Sequence, residues 1–321
     1  MFVVSASGNF DGIAIYGFDD GLLDLAKGKV VPFLLKDATP SADFKTWNME
    51  IRKKADGQPI QFHDGAAWNA DALIANFNAI RGLVYVANIS KDTEKNFLGS
   101  TAVAVGNVVS TTKVDDYNVS VKLNSPQADL RELMYASGRF IMRSPNSFTD
   151  SAKCASTLVG TGPFKQKSAK TTELVVVKNK NYWRKDAAGG KLPYLDKITF
   201  INIKEASSRA AAVRTGSVDA AFFTTGDATF ILDLAKRKSV VKQYVASKTA
   251  WGQWMPNVGK AGSPFKFLNC RLAAAHAIDW NAYNKVRLKG LGSYSGSVVG
   301  KTSVMFTTAG TPKYNVAKAK E

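Results

Sequence analysis

Alternation of hydrophobic and polar residues predicts several β-strands in this chain. Residues 44–52 place Trp47, Met49 and Ile51 on one face and mostly polar residues on the other, as in a half-buried strand. The same two-residue period predicts further strands at 117–123, 172–178, 197–203 and 217–223. These strands are separated by stretches rich in Gly, Pro and polar residues, which are typical of turns.

Helical spacing and capping residues predict the helices. Asn69 is a suitable N-cap, and Leu73, Phe77 and Ile80 follow at helical spacing, which predicts a helix over 70–81. Three more helices are predicted at 207–215, stopped by Gly216, from a cap at Asp227 through Lys238, and at 271–280. Mixed strands and helices with a late Gly/Pro-rich crossing at 257–264 predict an α/β or α+β protein with two lobes.

Length and composition exclude several classes of protein. A chain of 321 residues predicts about two domains, and 45% hydrophobic with 21% charged residues is ordinary for a folded protein. No apolar run reaches the roughly 18 residues of a membrane span. Two cysteines and two histidines exclude a disulfide-rich scaffold, a multi-cysteine zinc site and most multi-histidine metal sites.

The charge is strongly positive and uneven. The formal net charge is +17, and residues 236–321 hold 15 basic and 2 acidic residues. Such a segment can meet nucleic acid, an anionic membrane surface or an anionic ligand, or it can be an ordinary basic surface. Because no nucleic-acid-binding motif accompanies the charge, we favour the ordinary surface.

Catalytic motifs are mostly absent. Gly160-Thr161-Gly162-Pro163 begins like a nucleotide-binding loop, but Pro163 stands where a phosphate-cradling helix would open. His63 lies beside Asp64, which keeps a hydrolase hypothesis open, although we favour a structural role for His63. Cys154 and Cys270 lack a basic partner nearby in the sequence, and a disulfide between them is left open.

Aromatic residues are the better indication of a ligand site. Trp251 and Trp254 lie just before the proposed crossing, and Tyr135 precedes Gly138-Arg139. Tyr182-Trp183 follows a predicted strand. Clefts between lobes are often lined by aromatic side chains, whereas Trp47 and Phe77 are expected in the core.

Several segments in order together resemble one family, the extracellular solute-binding proteins of peptide and nickel ABC importers, family 5. Phe62-His63-Asp64-Gly65 resembles its F-H-D-G, and Val159-Gly160-Thr161-Gly162-Pro163-Phe164 its V-G-T-G-P-F. Further matches are Asp43 to Arg52, Asn69-Ala70-Asp71, Asn179 to Trp183, Tyr194 to Ile198, Arg209, Thr215 to Ala220, and Arg271 to Asp279. Phe44, Lys180 and Trp280 depart from the family pattern, and Phe44 replaces a usual Gly, which is expected to alter one turn.

The resemblance implies a fold and a domain organisation. The expected fold is the larger, three-subdomain type II periplasmic-binding-protein fold with two lobes. Lobe I would span 1–255 with an inserted subdomain at about 40–160, 256–263 would form the hinge crossing, and 264–321 would begin an incomplete lobe II. Thr311 to Lys320 resembles the start of a lobe II helix, so we expect a fragment truncated at its C-terminus.

The resemblance also implies a function. We expect the substrate-binding component of an ABC importer, a monomer that captures short peptides and delivers them to the membrane permease, with no catalytic residue, cofactor, metal or nucleic-acid partner. Nickel-type members carry an Arg where this chain has Ala136, and a nickel chelate, an oligosaccharide or another anionic ligand stays the alternative. The expected location is extracytoplasmic, either periplasmic or lipid-anchored, although no signal sequence is present. The ligand contacts expected are Ser7, Asn9, Phe10, Tyr135, Trp251 and Trp254.

Overall fold

The computed structural model describes residues 2–6, 23–26, 29–81, 105–135, 141–149, 157–237, 241–244, 254–297 and 306–321. The chain divides into two compact units. The first comprises residues 1–4 and 8–202, and the second comprises residues 5–7 and 203–321. This boundary differs from the predicted end of lobe I at residue 255, and the hinge at 256–263 stays a prediction.

Eleven strands occur in the described residues. They are β1 (Phe2–Ala6), β2 (Leu23–Ala26), β3 (Lys29–Pro32), β4 (Leu35–Pro40), β5 (Thr46–Ile51), β6 (Val108–Asp115), β7 (Asn118–Leu123), β8 (Phe164–Ala169), β9 (Glu173–Lys178), β10 (Lys197–Asn202) and β11 (Ala220–Ala221). Seven α-helices occur there too: α1 (Ala70–Ile80), α2 (Leu130–Tyr135), α3 (Ala206–Thr215), α4 (Ala228–Ala235), α5 (Leu268–Ala277), α6 (Trp280–Arg287) and α7 (Val316–Lys320).

The first unit contains an antiparallel sheet in the order β4-β5-β7-β6. Its central pair places Trp47 opposite Val121 and Met49 opposite Val119. All four of these side chains are buried, as the alternation predicts. The predicted strands at 44–52 and 117–123 are confirmed, with ends shifted by one or two residues.

Helix α1 packs beside this sheet and completes its hydrophobic core. The side chain of Asn69 accepts a hydrogen bond from the Ala72 amide, which confirms the predicted N-cap. Phe77 is fully buried in this core, and the indole N–H of buried Trp47 donates to the Gln127 carbonyl at 3.2 Å. The core placement expected for both residues is therefore confirmed.

A second sheet holds β1, β10, β9 and β8 in neighbouring positions. Strands β9 and β10 are antiparallel, with Val177 opposite Lys197. They confirm the strands predicted at 172–178 and 197–203. Their small core consists of Phe164, Leu174, Val176 and Phe200.

In the second unit, the predicted helix at 207–215 is confirmed as α3. Gly216 caps it in the left-handed conformation at φ 71°, which a residue with a Cβ adopts only with strain. The strand predicted at 217–223 is wrong in extent, since only Ala220–Ala221 is paired. Helix α4 ends at Ala235, before the predicted Lys238.

The helix predicted at 271–280 is wrong at both ends. Helix α5 begins earlier, at Leu268, and ends at Ala277, where Ile278 is extended. The Asp279 carboxylate then accepts hydrogen bonds from the amides of Asn281 and Ala282, so a new helix, α6, starts at Trp280. The N-cap competes with continuation of the first helix, because it satisfies amides that the second helix leaves free.

The last three helices are unusually exposed. No residue of α5, α6 or α7 is buried, and Phe267, Leu268 and Val286 are more than half exposed. Cys270, in α5, is a free and half-buried thiol, whereas Cys154 lies outside the described residues. Within the part of the chain that the structure describes, no helix is long and apolar enough to cross a membrane.

Candidate functional site

The turn at 62–65 and the glycine-rich segment at 160–163 are joined by His63. The His63 amide donates to the Gly160 carbonyl at 2.8 Å. In the ring, Nδ1 accepts a hydrogen bond from the Gly160 amide at 3.3 Å, and Nε2 lies 2.9 Å from the Gly162 carbonyl oxygen. Since an amide only donates and a carbonyl only accepts, the ring is the neutral tautomer with its proton on Nε2.

Burial reinforces the neutral state of this ring. Desolvation lowers the pKa of His63 from 6.5 to about 4, and the positive charge of Lys165 acts in the same direction. The Gly162 hydrogen bond and the Asp64 carboxylate oppose this shift without cancelling it. With both nitrogens engaged, the ring has no free lone pair for a substrate proton. The hydrolase hypothesis therefore loses its proposed base.

The Asp64 carboxylate also forms structural hydrogen bonds. Its carboxylate accepts hydrogen bonds from Ser144 Oγ at 2.6 Å, Asn146 Nδ2 at 3.0 Å and the Ala66 amide at 3.1 Å. Partial burial raises the pKa of Asp64, but these hydrogen bonds outweigh it and hold the pKa below its usual value. The following Gly65 completes the turn at φ 91°. The His63-Asp64-Gly65 segment thus ties three stretches of the first unit together.

A small cavity of about 200 Å³ lies beside this junction. Its wall includes Lys165, whose Nζ donates to the His63 carbonyl at 3.0 Å, and Gln166, whose Oε1 accepts from the Leu158 amide at 3.0 Å. The hydrogen bonds of these side chains therefore serve the surrounding backbone, as in a packed structural junction.

The structure describes two of the six predicted ligand contacts. Ser7, Asn9, Phe10 and Trp251 lie outside the described residues. Tyr135 is the last residue of α2 in the first unit and is half-buried. Trp254 belongs to the second unit, is 43% exposed, and packs edge-to-face on Phe265 with ring centroids 5.3 Å apart. Trp254 is therefore exposed and Tyr135 partly exposed.

Trp183, which was also singled out in the sequence, has a structural role. Trp183 packs against the core of the first unit and meets Phe33 edge-to-face at 5.4 Å. The sequence reasoning missed a second cluster in the second unit, where Trp280 stacks on Tyr294 at 6.1 Å and contacts Tyr283 at 5.9 Å. The three-residue spacing of Trp280 and Tyr283 on one helix face was the available signal.

Arg209 organises the second unit around a buried charge. Its side chain is 2% exposed, and Nη1 donates to the carbonyls of Ile203 and Lys204 at 3.0 and 2.6 Å. Nη2 donates to Asp227 Oδ2 at 3.0 Å. The same carboxylate accepts from the Thr224 amide at 3.0 Å. Asp227 therefore does not cap α4 with its side chain as predicted, and its Oδ2 instead binds the buried guanidinium and the preceding turn.

Metal-ligating side chains are dispersed. Within the described ranges, no three His, Cys, Asp or Glu side chains come close enough together to hold a metal ion.

The chain was compared with protein families and with curated proteins. Residues 29–321 match the family model described as bacterial extracellular solute-binding proteins, family 5, middle. A glutathione-binding protein of Salmonella typhimurium is 28% identical over 308 residues, which are 95% of this chain and 54% of that protein. A nickel-binding periplasmic protein of Escherichia coli is 27% identical over 204 residues, which are 63% of this chain and 34% of that protein. The chain thus spans about half the length of the glutathione-binding relative.

Solved structures share the fold over almost the whole chain. A dipeptide-binding protein from a Pseudoalteromonas species, in complex with Met-Leu, has a TM-score of 0.77 at 20% identity and covers 99% of this chain and 65% of its own. The oligopeptide-binding protein AppA from Bacillus subtilis, in complex with a nonapeptide, has a TM-score of 0.74 at 20% identity, covering 99% and 62%. The AgaA protein from Agrobacterium tumefaciens, in complex with agropinic acid, has a TM-score of 0.75 at 21% identity, covering 99% and 62%.

Proposed function

Since the chain belongs to the family of bacterial extracellular solute-binding proteins, family 5, we propose that it serves as the substrate-binding component of an ABC importer and captures short peptides. The observation that carries this proposal is the family match over residues 29–321. Proteins of this family bind solutes for transport and are not enzymes, so the expectation that the chain is not an enzyme is confirmed. The expected type II periplasmic-binding-protein fold is confirmed as well.

Short peptides are the ligand class that we favour. Two similar structures hold a dipeptide and a nonapeptide, and a similar curated protein is named for glutathione, which is itself a tripeptide. Main-chain hydrogen bonds to an extended peptide give affinity without demanding one sequence. Other similar proteins hold nickel complexes or agropinic acid, so nickel chelates and anionic solutes are the second candidates.

The mechanism that we propose is closure of two lobes around the ligand. Residues 256–263 would act as the hinge, with lobe I before them and lobe II from residue 264. The closed form would then be recognised by the membrane permease. The protein would act outside the cytoplasm as a monomer, either in the periplasm or anchored to the outer face of the membrane by a lipid.

Thermal unfolding against a ligand panel tests this proposal. The panel contains di- to pentapeptides, glutathione, a nickel–histidine chelate and an acidic sugar derivative. A ligand that binds the native protein alone raises the melting temperature. We expect a rise with one or more peptides, glutathione included, and none with the nickel–histidine chelate or the acidic sugar derivative. If the protein is folded by circular dichroism and no peptide raises the melting temperature, the peptide assignment is wrong.

Two variants then examine the described contacts. We expect Trp254→Ala and Tyr135→Ala to weaken peptide binding by about tenfold each, because each removes an aromatic surface of the kind that lines ligand pockets. Tyr244→Ala is the matched control, since Tyr244 is 84% exposed in the second unit and is not among the proposed ligand contacts. Equal losses in all three variants would contradict the roles of Trp254 and Tyr135.

A further inference from the structure

The first unit also has an open surface groove. This groove of about 700 Å³ lies where the hairpin at 52–58 follows the end of β5, beside the turn between β6 and β7. This size lies within the usual range of ligand-binding clefts. The groove is lined by charged residues, and its acidic and basic members differ in how they are partnered.

The carboxylates of the groove are already partnered. Glu50 pairs with Lys36 at 2.7 Å, and Asp116 pairs with Lys113 at 2.8 Å. Asp115 Oδ1 accepts a hydrogen bond from the Tyr117 amide at 2.7 Å, and the Asn118 amide group donates to both of its oxygens. The Tyr117 hydrogen bond is the main reason why the pKa of Asp115 lies below its usual value.

The cations at 52–54 are engaged less closely. The charge of Lys53 helps to lower the pKa of Asp115, and Arg52 Nε donates to the Phe33 carbonyl. Arg52, Lys53 and Lys54 are consecutive and line the groove. None of the three forms an ion pair with a carboxylate in the part of the chain that the structure describes. Lys53 Nζ lies 3.9 Å from the centre of the Tyr117 ring, which holds this ammonium over the groove wall.

We propose that this groove binds an acidic segment of a polypeptide partner. Carboxylates of the segment pair with Lys53, Lys54 and the outer nitrogens of Arg52, while Tyr117 contacts its apolar atoms. The charge distribution favours a polypeptide over a nucleic acid. A nucleic acid carries a negative charge at every phosphate, so several phosphates would lie close to Asp115 and Asp116 and be repelled by them. A peptide can carry its carboxylates at positions that avoid these two residues.

Fluorescence anisotropy with a defined probe tests the proposal on the full chain. The probe is a labelled nonapeptide that alternates glycine and glutamate, with both ends blocked, and the comparison probe carries glutamine instead of glutamate. An excess of any peptide that raises the melting temperature occupies the proposed transport site during this measurement. We then expect the glutamate probe alone to bind, and its affinity to fall as salt is raised. Binding of both probes equally, or of neither, overturns the proposal.

Matched variants locate the binding. We expect K53Q/K54Q to lower the affinity for the glutamate probe by about tenfold. K53R/K54R should keep this affinity within twofold of the parent, because arginine also pairs with carboxylates. The control is K45Q/K122Q, which removes the same charge at the opposite end of β5 and β7, where Thr46 pairs with Lys122. Equal weakening by the control and by K53Q/K54Q overturns the assignment to the groove.

Two further measurements separate this groove from the transport site and from simple anion binding. The melting-temperature rise with short peptides should be unchanged in K53Q/K54Q, since neither lysine is among the proposed ligand contacts. Competition by inorganic phosphate or by a 20-base-pair DNA more strongly than by the unlabelled glutamate peptide would overturn the proposal in favour of a general anion site.

Discussion

The Nε2 nitrogen of His63 donates to the carbonyl of Gly162, 99 positions later in the chain, at 2.9 Å. The other ring nitrogen accepts from Gly160, so a single neutral imidazole joins the turn at 62–65 to the glycine-rich segment. A protonated ring carries hydrogen on both nitrogens and would face the Gly160 amide with a second donor. Acid is therefore expected to weaken this junction.

The first prediction concerns this pH dependence. The pKa of His63 is about 4 in the folded protein against 6.5 in the unfolded chain, so between these values the unfolded chain binds more protons. His63 contributes up to about 3 kcal/mol to the free energy of unfolding. This contribution is fully present above pH 6.5 and is lost as the pH falls through about 4. Urea unfolding of the parent and of His63→Gln from pH 7 to pH 4 measures this loss, which the variant should lack.

His276 provides the control, because the chain has two histidines. His276→Gln should keep the full loss of stability on acidification. In NMR titrations, the ring signals of His63 should stay in the neutral form down to about pH 4. A ring that titrates near 6.5 in the folded protein would contradict the hydrogen-bonding pattern.

The second prediction concerns the buried ion pair of Arg209 and Asp227. Removing one partner leaves a charge that is 2% exposed without its counter-ion, so Asp227→Ala should lower the free energy of unfolding by about 3 kcal/mol. Urea unfolding measures the change. Asp233→Ala is the control, because Asp233 pairs with exposed Arg214 and Arg237 at 3.6 and 3.8 Å and should change stability by less than about 0.5 kcal/mol. Similar effects in both variants would show that burial adds nothing to the first pair.

The third prediction concerns Phe44, whose backbone has a positive φ. Its φ is 55°, in the left-handed region that costs an ordinary residue about 1–2 kcal/mol. Glycine avoids this strain but costs about 0.5–1 kcal/mol through its freedom in the unfolded chain. Phe44→Gly should therefore be more stable than Phe44→Ala by about 0.5–1 kcal/mol, as measured by thermal unfolding.

Both substitutions remove the same ring, so their difference reports the backbone strain. At Val114, an exposed residue in β6, the order should reverse, and Val114→Gly should be the less stable variant. An alanine variant at position 44 that equals or exceeds the glycine variant would show that no strain is stored there.

Local features of the chain were predictable wherever one signal dominated. The alternation around Trp47 and Met49 and the cap at Asn69 each depend on residues within one element, and the structure confirms them. The helix predicted at 271–280 was wrong because Asp279 offered a stronger local signal, an N-cap, than the apolar spacing around it. The ligand contacts rested on aromatic residues near the proposed crossing and on an N-terminal loop, and they stay predictions.

The sequence by itself determined the periodicity of the elements, the turn residues and the family motifs, because each depends on neighbours along the chain. Only the tertiary structure decided three features. These are the partners of His63, the use of Asp227 by Arg209 in place of a helix cap, and the cations at 52–54 that form no ion pair within the described residues. These depend on which side chains meet when distant segments pack, and on which charges lose water in doing so. The pattern along the sequence specifies neither the contacts between distant side chains nor the charges that are buried.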